Sequence, residues 1–220
     1  MDFALAVLDM AGTTVADDGL VVRAFTAALD DLRVGDAERP RMQQYVLDTM
    51  GRSKIEVFRA LFAAESDAQR ANAAFAAAYD ELVGSVVPIP GAEDAIRALQ
   101  EGGTRVALTT GFGAGTRDAL LDALGWADLA DLTLCPAEAG RGRPHPDLVL
   151  TAVLRLEIDD VRTVAVAGDT TSDVLTGLRA GATVSAGVLT GAHDAAALTA
   201  AGATHVLDSI ADLPGLLGHR

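Results

Sequence analysis

The fold is decided by residues 4–14, which read ALAVLDMAGTT. The apolar run from Phe3 to Leu8 predicts a strand that is buried on both faces, and such strands are typically parallel and central in their sheet. The run ends on the carboxylate of Asp9, which Gly12 and two threonines follow. Because ligands bind beyond the carboxyl ends of parallel strands, Asp9 stands where a functional group is expected. A turn-capping role for Asp9 is the alternative at this point.

The composition indicates a soluble protein with a substantial core. The chain has 220 residues, of which 50% are hydrophobic, and a formal net charge of −14. This negative charge argues against nucleic acid or an anionic membrane as a partner. The single cysteine, Cys135, excludes an internal disulfide framework. No basic segment precedes Phe3 and no apolar run approaches the roughly 20 residues of a membrane span, so we expect a cytoplasmic protein.

A long helical tract separates the first strand from the next one. Apolar residues recur at helical spacing between residues 20 and 86, without an intervening strand pattern. Glycine-containing and polar segments divide this tract into about four helices. The stiff sequence PIPG at 88–91 then returns the chain to the core. We therefore predict an all-helical cap of residues 19–87, inserted into an α/β core formed by residues 1–18 and 88–220.

Strands and helices alternate regularly through the remainder of the chain. This alternation predicts a Rossmann-like core, in which a parallel sheet carries helices on both faces. The predicted strands are 106–108, 132–134, 164–167, 183–186 and 204–207. The predicted helices are 92–100, a helix that ends at Leu124, 147–156, 170–179 and a helix after His193, and residues 136–146 are predicted to form a loop.

Acidic residues follow two of the buried strands. Asp169 and Asp173 lie in the segment GDTTSD at 168–173. If its strand neighbours the first one, Asp9 and Asp169 converge at one edge of the sheet. Carboxylates with open positions suit Mg²⁺, which prefers oxygen ligands. The sequence therefore predicts a magnesium site, and an ordinary helix N-cap formed by Thr170 and Asp173 is the alternative.

Two further stretches offer groups that bind a phosphate. Thr110 and Gly111 end a strand with a hydroxyl and backbone N–H groups at a helix start, which suit an anion. Arg143 lies in the segment GRPHP at 142–146, a loop stiffened by two prolines, and supplies a cation. A solvated loop charge is the alternative for Arg143. The glycines of GFGAG at 111–115 have the wrong spacing for a dinucleotide-binding loop.

These stretches, in this order, resemble the four motifs of the haloacid dehalogenase superfamily of phosphoryl-transfer hydrolases. The resemblance extends to its phosphonatase branch, the phosphonoacetaldehyde hydrolases. Most phosphatases of the superfamily carry a second Asp in the first motif, whereas this chain has Ala11, as phosphonatases do. The segment MGRSK at 50–54 matches the cap segment in which that branch has its Schiff-base lysine. Lys54 is also the only lysine in the chain.

The resemblance implies a catalytic centre at the strand ends. Asp9 would attack phosphorus and form an aspartyl phosphate, which divides one difficult step into two easier ones. Thr110 and Arg143 would bind the remaining phosphoryl oxygens, and the ion would neutralise phosphoryl charge. The implied Mg²⁺ ligands are Asp9, the backbone carbonyl of Ala11, Asp169 and Asp173.

Lys54 is implied to act on the leaving group. Ala11 cannot protonate a departing alkoxide, whereas cleavage of a carbon–phosphorus bond releases a carbanion. An iminium between Lys54 and an aldehyde would accept those electrons as an enamine. Burial under the cap and the neighbouring charge of Arg52 would lower the lysine pKa from about 10.4 toward the neutral form that attacks a carbonyl. A cation that only recognises the substrate is the alternative. The implied substrate-binding residues are Gly12, Thr13, Gly51, Arg52 and Gly111.

Three positions depart from the phosphonatase pattern. Leu20 replaces a cysteine, Val57 replaces a histidine and Phe112 replaces a tyrosine, and in that branch these residues line the aldehyde pocket. The identity of the aldehyde or ester is therefore left open. Structural or solvated roles are expected for the histidines outside the motifs, which are His193, His205 and His219.

The sequence thus predicts a Mg²⁺-dependent hydrolase that acts on a small-molecule phosphonate or phosphate ester, most like phosphonoacetaldehyde hydrolase. One alternative is a small-molecule phosphatase of the phosphoglycolate phosphatase type. Another, from a different class, is a non-catalytic metabolite-binding regulator. A homodimer formed through the cap is compatible with the resemblance.

Overall fold

A computed structural model describes residues 2–219 and contains one parallel sheet of six strands. The order across the sheet is β3-β2-β1-β4-β5-β6, so β1 is central and β4 is its neighbour, as the convergence of the acids requires. The strands are β1 (Leu5–Asp9), β2 (Arg105–Thr109), β3 (Leu132–Leu134), β4 (Val164–Gly168), β5 (Val184–Val188) and β6 (His205–Leu207).

Four helices follow β1 before the chain returns to the sheet, which confirms the predicted helical tract. A short 3-10 turn, Val83–Ser85, ends this helical insert. The division of the chain into a core and a cap at residues 19–87 stays a prediction, because one continuous hydrophobic cluster spans the insert and the sheet. The helices of the insert are α1 (Leu20–Asp31), α2 (Arg39–Asp48), α3 (Lys54–Leu61) and α4 (Glu65–Leu82).

The alternation of side chains along the strands explains the layers. In β1, Ala6 and Leu8 pack into the cluster that contains the insert, whereas Leu5 and Val7 pack into a second cluster with α8 (Asp147–Arg155) on the opposite face. Both faces of the sheet are therefore covered by helices. The remaining helices are α5 (Ala92–Glu101), α6 (Ala114–Leu124), α7 (Pro136–Ala139), α8 (Asp147–Arg155), α9 (Thr171–Ala180), α10 (Ala195–Ala200) and α11 (Leu213–Leu217).

The predicted element bounds are wrong at several places. Residues 136–146 are not all loop, because α7 occupies 136–139. There the Glu138 carboxylate accepts a hydrogen bond from the Cys135 N–H at 2.9 Å, which caps a helix too short to show periodicity. The segment 210–217 forms a 3-10 turn followed by α11, and the sequence pattern did not predict either. Within residues 2–219, every helix is too short or too polar to cross a lipid bilayer.

Aromatic rings connect the insert to the loop after β2. Phe25 and Phe58 stack with their ring centroids 5.3 Å apart, and Phe75 packs against Phe58 at 6.1 Å. Tyr79 of α4 completes the series, because its ring lies 4.6 Å from that of Phe112. This aromatic contact packs α4 of the insert against the loop that follows the carboxyl end of β2.

Candidate active site

Three carboxylates meet at the carboxyl ends of the central strands. Asp9 ends β1, Asp169 follows the last residue of β4, and Asp173 lies in the first turn of α9. One oxygen from each of them lies within 4.8 Å of the other two, and all three residues are buried. We call these three residues the acidic cluster. The parallel pairing of β1 with β4 accounts for the meeting of Asp9 with Asp169.

The acidic cluster carries more negative charge than its surroundings neutralise. Burial, the largest cause, raises the pKa of Asp9 to about 6, and the charge of Asp169 adds to this rise. Burial likewise raises the pKa values of Asp169 and Asp173 to about 6. Arg143 opposes the rise at Asp9 and Asp173, but one guanidinium is a single positive charge against three carboxylates. Such a set of buried oxygen donors fits a divalent cation.

Arg143 is buried inside this arrangement and is not a solvated loop charge. Its Nη1 donates to Asp9 Oδ1 at 2.5 Å, and its Nε lies 3.0 Å from Asp173 Oδ1. Its Nη2 donates to the Thr109 hydroxyl at 2.6 Å. The guanidinium is therefore held in one orientation beside Asp9 by three elements of the core.

Neighbouring groups hold Asp169 tightly. The Thr13 hydroxyl donates to Oδ1 at 3.2 Å, and the backbone N–H of Ala192 donates to Oδ2 at 2.7 Å. Gly12 has a φ of +88°, and a Cβ at this position would lie only 2.5 Å from Asp169 Oδ2. The glycine thus supplies both the turn geometry and the space for the carboxylate.

The predicted helix cap is also present. The Thr170 hydroxyl and the Asp173 carboxylate form a reciprocal capping box at the start of α9. The backbone N–H of Thr170 donates to Asp173 Oδ2 at 3.1 Å, while Oδ1 of the same carboxylate faces Arg143. The two interpretations of this segment are therefore compatible, because Asp173 caps the helix and belongs to the acidic cluster.

A cavity of about 680 Å³ lies above Asp9 and Asp169. The helical insert contributes Gly51 and Lys54 to its wall. Thr13 and Asp173 do not line the cavity and instead contact the residues that do. Besides the two acids, the core residues singled out in the sequence that line it are Ala11, Gly12, Thr110, Gly111 and Arg143.

Lys54 begins α3 and faces the cavity. Its backbone N–H donates to the Gly111 carbonyl at 3.0 Å, and its Nζ lies 5.4 Å from the centroid of the Phe112 ring. Burial lowers the pKa of this ammonium, and the charges of Asp17 and Asp9 oppose that shift. The cation that adds to the lowering is Arg143, so the expected influence of Arg52 is not the one at work.

Two predicted binding residues are placed differently from expectation. Arg52 lines a separate small pocket of about 80 Å³ with Tyr45 and His145, and it does not line the main cavity. The backbone N–H of Thr110 is occupied by the Leu134 carbonyl at 3.1 Å. The strand end therefore offers less of an anion cradle than the sequence suggested.

The Thr110 hydroxyl keeps its hydrogen for a ligand. Its oxygen accepts from the Phe112 N–H at 3.1 Å, which leaves the O–H free to donate. Helix α6 begins only at Ala114, so Thr110 is not at the helix start itself. The hydroxyl is consequently the group of Thr110 that can contact a phosphoryl oxygen.

Sequence analysis did not single out two cavity residues. His193, for which a structural or solvated role was expected, lines the cavity, and its Nδ1 accepts from the Thr171 N–H at 2.8 Å. Asp17 lies in the loop between β1 and α1 and also lines the cavity. An acid just before a helix is usually a cap, so the sequence around Asp17 gave no signal of a cavity position.

The fold and the site together define an α/β protein whose parallel sheet has an acidic centre at its strand ends. Residues 6–187 match the family model of the haloacid dehalogenase-like hydrolases, and the chain belongs to that family. This family assignment agrees with the resemblance of the four sequence motifs.

Individual relatives agree with the family. The chain is 30% identical over 217 residues to the probable phosphatase IndB of Dickeya dadantii, covering 96% of this chain and 92% of that protein. It is 28% identical over 258 residues to the phosphonoacetaldehyde hydrolase of Salmonella typhimurium, with coverage of 97% and 93%. The crystal structure of a phosphonoacetaldehyde hydrolase-like protein from Oleispira antarctica superposes with a TM-score of 0.85 at 25% identity, over 99% of this chain and 92% of that one.

Proposed function

We propose that this protein is a Mg²⁺-dependent hydrolase that releases phosphate from a small phosphonate by cleaving a carbon–phosphorus bond, as phosphonoacetaldehyde hydrolase does. One observation carries the proposal. A single cavity is lined both by Asp9, at the strand ends, and by the chain's only lysine, Lys54, from the helical insert. A substrate with a phosphoryl group at one end and an aldehyde at the other fits these two groups.

Asp9 is the proposed nucleophile. Its carboxylate would attack phosphorus, the bond from phosphorus to the leaving group would break, and an aspartyl phosphate would remain. Water would then hydrolyse this mixed anhydride and regenerate the carboxylate. Arg143, which already donates to Asp9 Oδ1, would donate to the phosphoryl oxygens as charge moves onto them. The Thr110 hydroxyl would supply one further donor from the cavity wall.

The acidic cluster supports a role for a divalent cation. Asp9, Asp169 and the backbone carbonyl of Ala11 would hold Mg²⁺, with Asp173 behind them. When bound, this ion would neutralise charge on the phosphoryl group. Hydrogen bonds from the Thr13 hydroxyl and the Ala192 N–H would keep Asp169 in position for the ion. The absence of a side chain at Gly12 would leave room for the Asp169 carboxylate.

Lys54 is proposed to act as the electron sink. Its neutral amine would condense with the substrate aldehyde and take up one proton to give an iminium and water. When phosphorus transfers to Asp9, the electron pair of the carbon–phosphorus bond would move to carbon and form the enamine. Protonation at carbon followed by hydrolysis would release the aldehyde product and free the amine. Position 11 of the cavity wall carries an alanine, so it offers no acid there to protonate the departing alkoxide of a phosphate ester.

A small-molecule phosphatase is the second candidate. The observation that favours it is the 30% identity to a relative named a probable phosphatase. In that function Lys54 would only bind the substrate as a cation.

Three further expectations from the sequence stay predictions. They are a cytoplasmic location, a homodimer through the helical insert and the core–cap division at residues 19–87.

The deciding experiment measures Mg²⁺-dependent phosphate release from a panel of phosphonates and phosphate esters. Lys54→Arg keeps a cation at the cavity but forms no iminium with an aldehyde, so it should abolish release from phosphonoacetaldehyde and borohydride trapping alike. Arg59→Ala, which removes an exposed cation from the same helix, is the matched control and should leave both unchanged. Phosphate release from esters alone, insensitive to Lys54→Arg, would select the phosphatase. No release with any substrate would contradict both candidates.

A further inference from the structure

Asp17 has a defined position in the cavity wall. It belongs to the loop that leads from β1 into the helical insert, and it lines the same cavity as Lys54. The backbone N–H of Val21 donates to Asp17 Oδ1 at 3.1 Å, and the N–H of Leu20 donates to the Asp17 carbonyl at 2.7 Å. The start of α1 therefore fixes this carboxyl in the wall instead of leaving it free in solvent.

Asp17 and Lys54 face one cavity without closing on each other. Among residues 2–219, no carboxylate forms an ion pair within 4.0 Å of the Lys54 ammonium. Both residues line that cavity, and the charge of each acts on the pKa of the other. This arrangement leaves the amine and the carboxyl available to a carbonyl group bound in the cavity.

Proton carriers are scarce at this end of the cavity. Phe112 lines the cavity and exchanges no protons, and the buried Leu20 and Val57 are not among the residues that line it. His193 lies beside Asp169, because its backbone N–H donates to the Asp169 carbonyl and its ring accepts from the neighbouring Thr171 N–H. The remaining carboxyls of the wall outside the acidic cluster, Asp18 and Asp48, are exposed to solvent at the rim.

We propose that Asp17 is the acid–base residue that forms the iminium at Lys54, by passing protons between the amine and the carbonyl oxygen of the substrate. This assignment rests on the proposed function, because it supplies the proton transfers that the lysine chemistry needs. It adds a catalytic residue that belongs neither to the acidic cluster nor to the phosphate-binding groups.

The proton transfers balance with one carboxyl. The neutral Lys54 amine bonds to the carbonyl carbon, and the carbonyl oxygen takes the proton of the Asp17 carboxylic acid. The nitrogen then returns a proton to the Asp17 carboxylate, giving a neutral carbinolamine. Asp17 protonates the hydroxyl a second time, water leaves, and the nitrogen lone pair completes the iminium. The carboxylate is left beside a cationic iminium, which it stabilises.

The surroundings favour the protonation states that this sequence needs at its start. Burial raises the pKa of the Asp17 carboxyl and lowers the pKa of the Lys54 ammonium, so both groups shift toward their uncharged forms. Asp18 adds to the rise at Asp17, while the charge of Lys54 opposes it. The charge of Asp17 acts on the hydroxyl of Tyr79 in α4, and the charge of Asp9 in β1 acts on Lys54.

The test compares two reactions of the one lysine. Acetylation by acetic anhydride needs only the free amine, whereas cyanoborohydride trapping with phosphonoacetaldehyde also needs an acid to remove water. In the full-length protein, Asp17→Asn should raise the acetylation rate of Lys54, because a negative partner is lost. The same variant should lower the trapping rate by about 100-fold, a typical general acid–base contribution. Asp48→Asn removes the charge of an exposed carboxyl in the same cavity wall and should change neither rate.

The outcomes separate this assignment from the proposed function. If trapping in Asp17→Asn is as fast as in the wild type, or rises together with acetylation, Asp17 is not the acid, while the lysine chemistry stands. If the wild type acetylates but never traps, the carbon–phosphorus function falls and the assignment falls with it. Phosphate release from esters tests Asp9 independently of both.

A folding defect is distinguished by a second variant. Asp17→Glu keeps an acid in the wall and should recover trapping at least tenfold over Asp17→Asn, with a pH profile that again shows one acidic group. If Asp17→Glu acetylates normally but traps no faster than Asp17→Asn, the assignment is overturned. A purely structural role would not produce opposite changes in acetylation and trapping.

Discussion

Asp9 and Asp169 end adjacent parallel strands, and with Asp173 their carboxylate oxygens lie within 4.8 Å of one another. Like charges this close and this deeply buried repel each other in a medium that screens them poorly. Arg143 contacts Asp9 and Asp173 but supplies only one positive charge. The repulsion among these carboxylates therefore lowers the free energy of unfolding. A bound cation or proton reduces the repulsion and restores stability.

The first prediction concerns the pH dependence of stability. The Asp9 carboxyl has its pKa raised from 3.8 to about 6, so the folded state binds this proton more tightly than the unfolded state does. The free energy of unfolding in the absence of metal should therefore rise as the pH falls from about 7 toward 4, by up to about 3 kcal/mol for one such carboxyl. Urea unfolding at several pH values with EDTA measures this rise.

The first prediction has a counterpart: the stabilisation that Mg²⁺ provides should decrease as the pH falls. At pH 7.5, where the acidic cluster is charged, Mg²⁺ should raise the Tm, and at pH 5 the rise should shrink because protons compete for the carboxylates. Asp169→Asn should lose most of this stabilisation, whereas Asp122→Asn, which removes an exposed acid, should keep it. Equal stabilisation at both pH values would contradict a metal at the acidic cluster.

The second prediction concerns the backbone at Gly12. Gly12→Ala should weaken Mg²⁺ binding at least about tenfold, because the new Cβ would lie 2.5 Å from Asp169 Oδ2 and would displace a ligand. Gly19→Ala is the matched control, since Gly19 also has a positive φ, of +76°, but a Cβ there meets nothing within 4 Å. Isothermal titration with Mg²⁺ measures both variants. Similar weakening in the two would mean that backbone strain, and not displacement of Asp169, is responsible.

Periodicity and strand-end acids were sufficient to predict the alternating core, the helical insert and the acids that converge. These features depend on local patterns of hydrophobic and acidic residues, which can be read from the sequence alone. The positions of Asp17 and Tyr79 relative to Lys54 could not be predicted, because they depend on how the insert packs on the sheet. The contact of Arg143 with both Asp9 and Asp173 was also missed, since it joins the loop after α7 to the end of β1 and the first turn of α9.

The third prediction concerns the shape of the cation at position 143. Arg143 contacts Asp9, Thr109 and Asp173 with three different nitrogens, and the single ammonium of a lysine cannot do so. Arg143→Lys should therefore lower kcat by about 100-fold or more with any phosphoryl substrate. Arg141→Lys, which changes an exposed arginine two residues away, should retain wild-type kcat. A near-normal kcat for Arg143→Lys would show that charge alone suffices.

The last prediction concerns a buried hydroxyl. Tyr79 is fully buried, and its hydroxyl has no hydrogen-bond partner among residues 2–219, while its ring packs against Phe75 and Phe112. Burying an unpaired hydroxyl costs about 1–3 kcal/mol, so Tyr79→Phe should raise the free energy of unfolding by about 1 kcal/mol without disturbing the rings. Tyr45→Phe, in a half-buried position, should change it by less than about 0.5 kcal/mol. Urea denaturation with both variants measures the difference. A loss of stability in Tyr79→Phe would instead mean that the hydroxyl has a bound partner, and the hydroxyl would then belong to the polar surroundings of Asp17 and not to the packing of the insert.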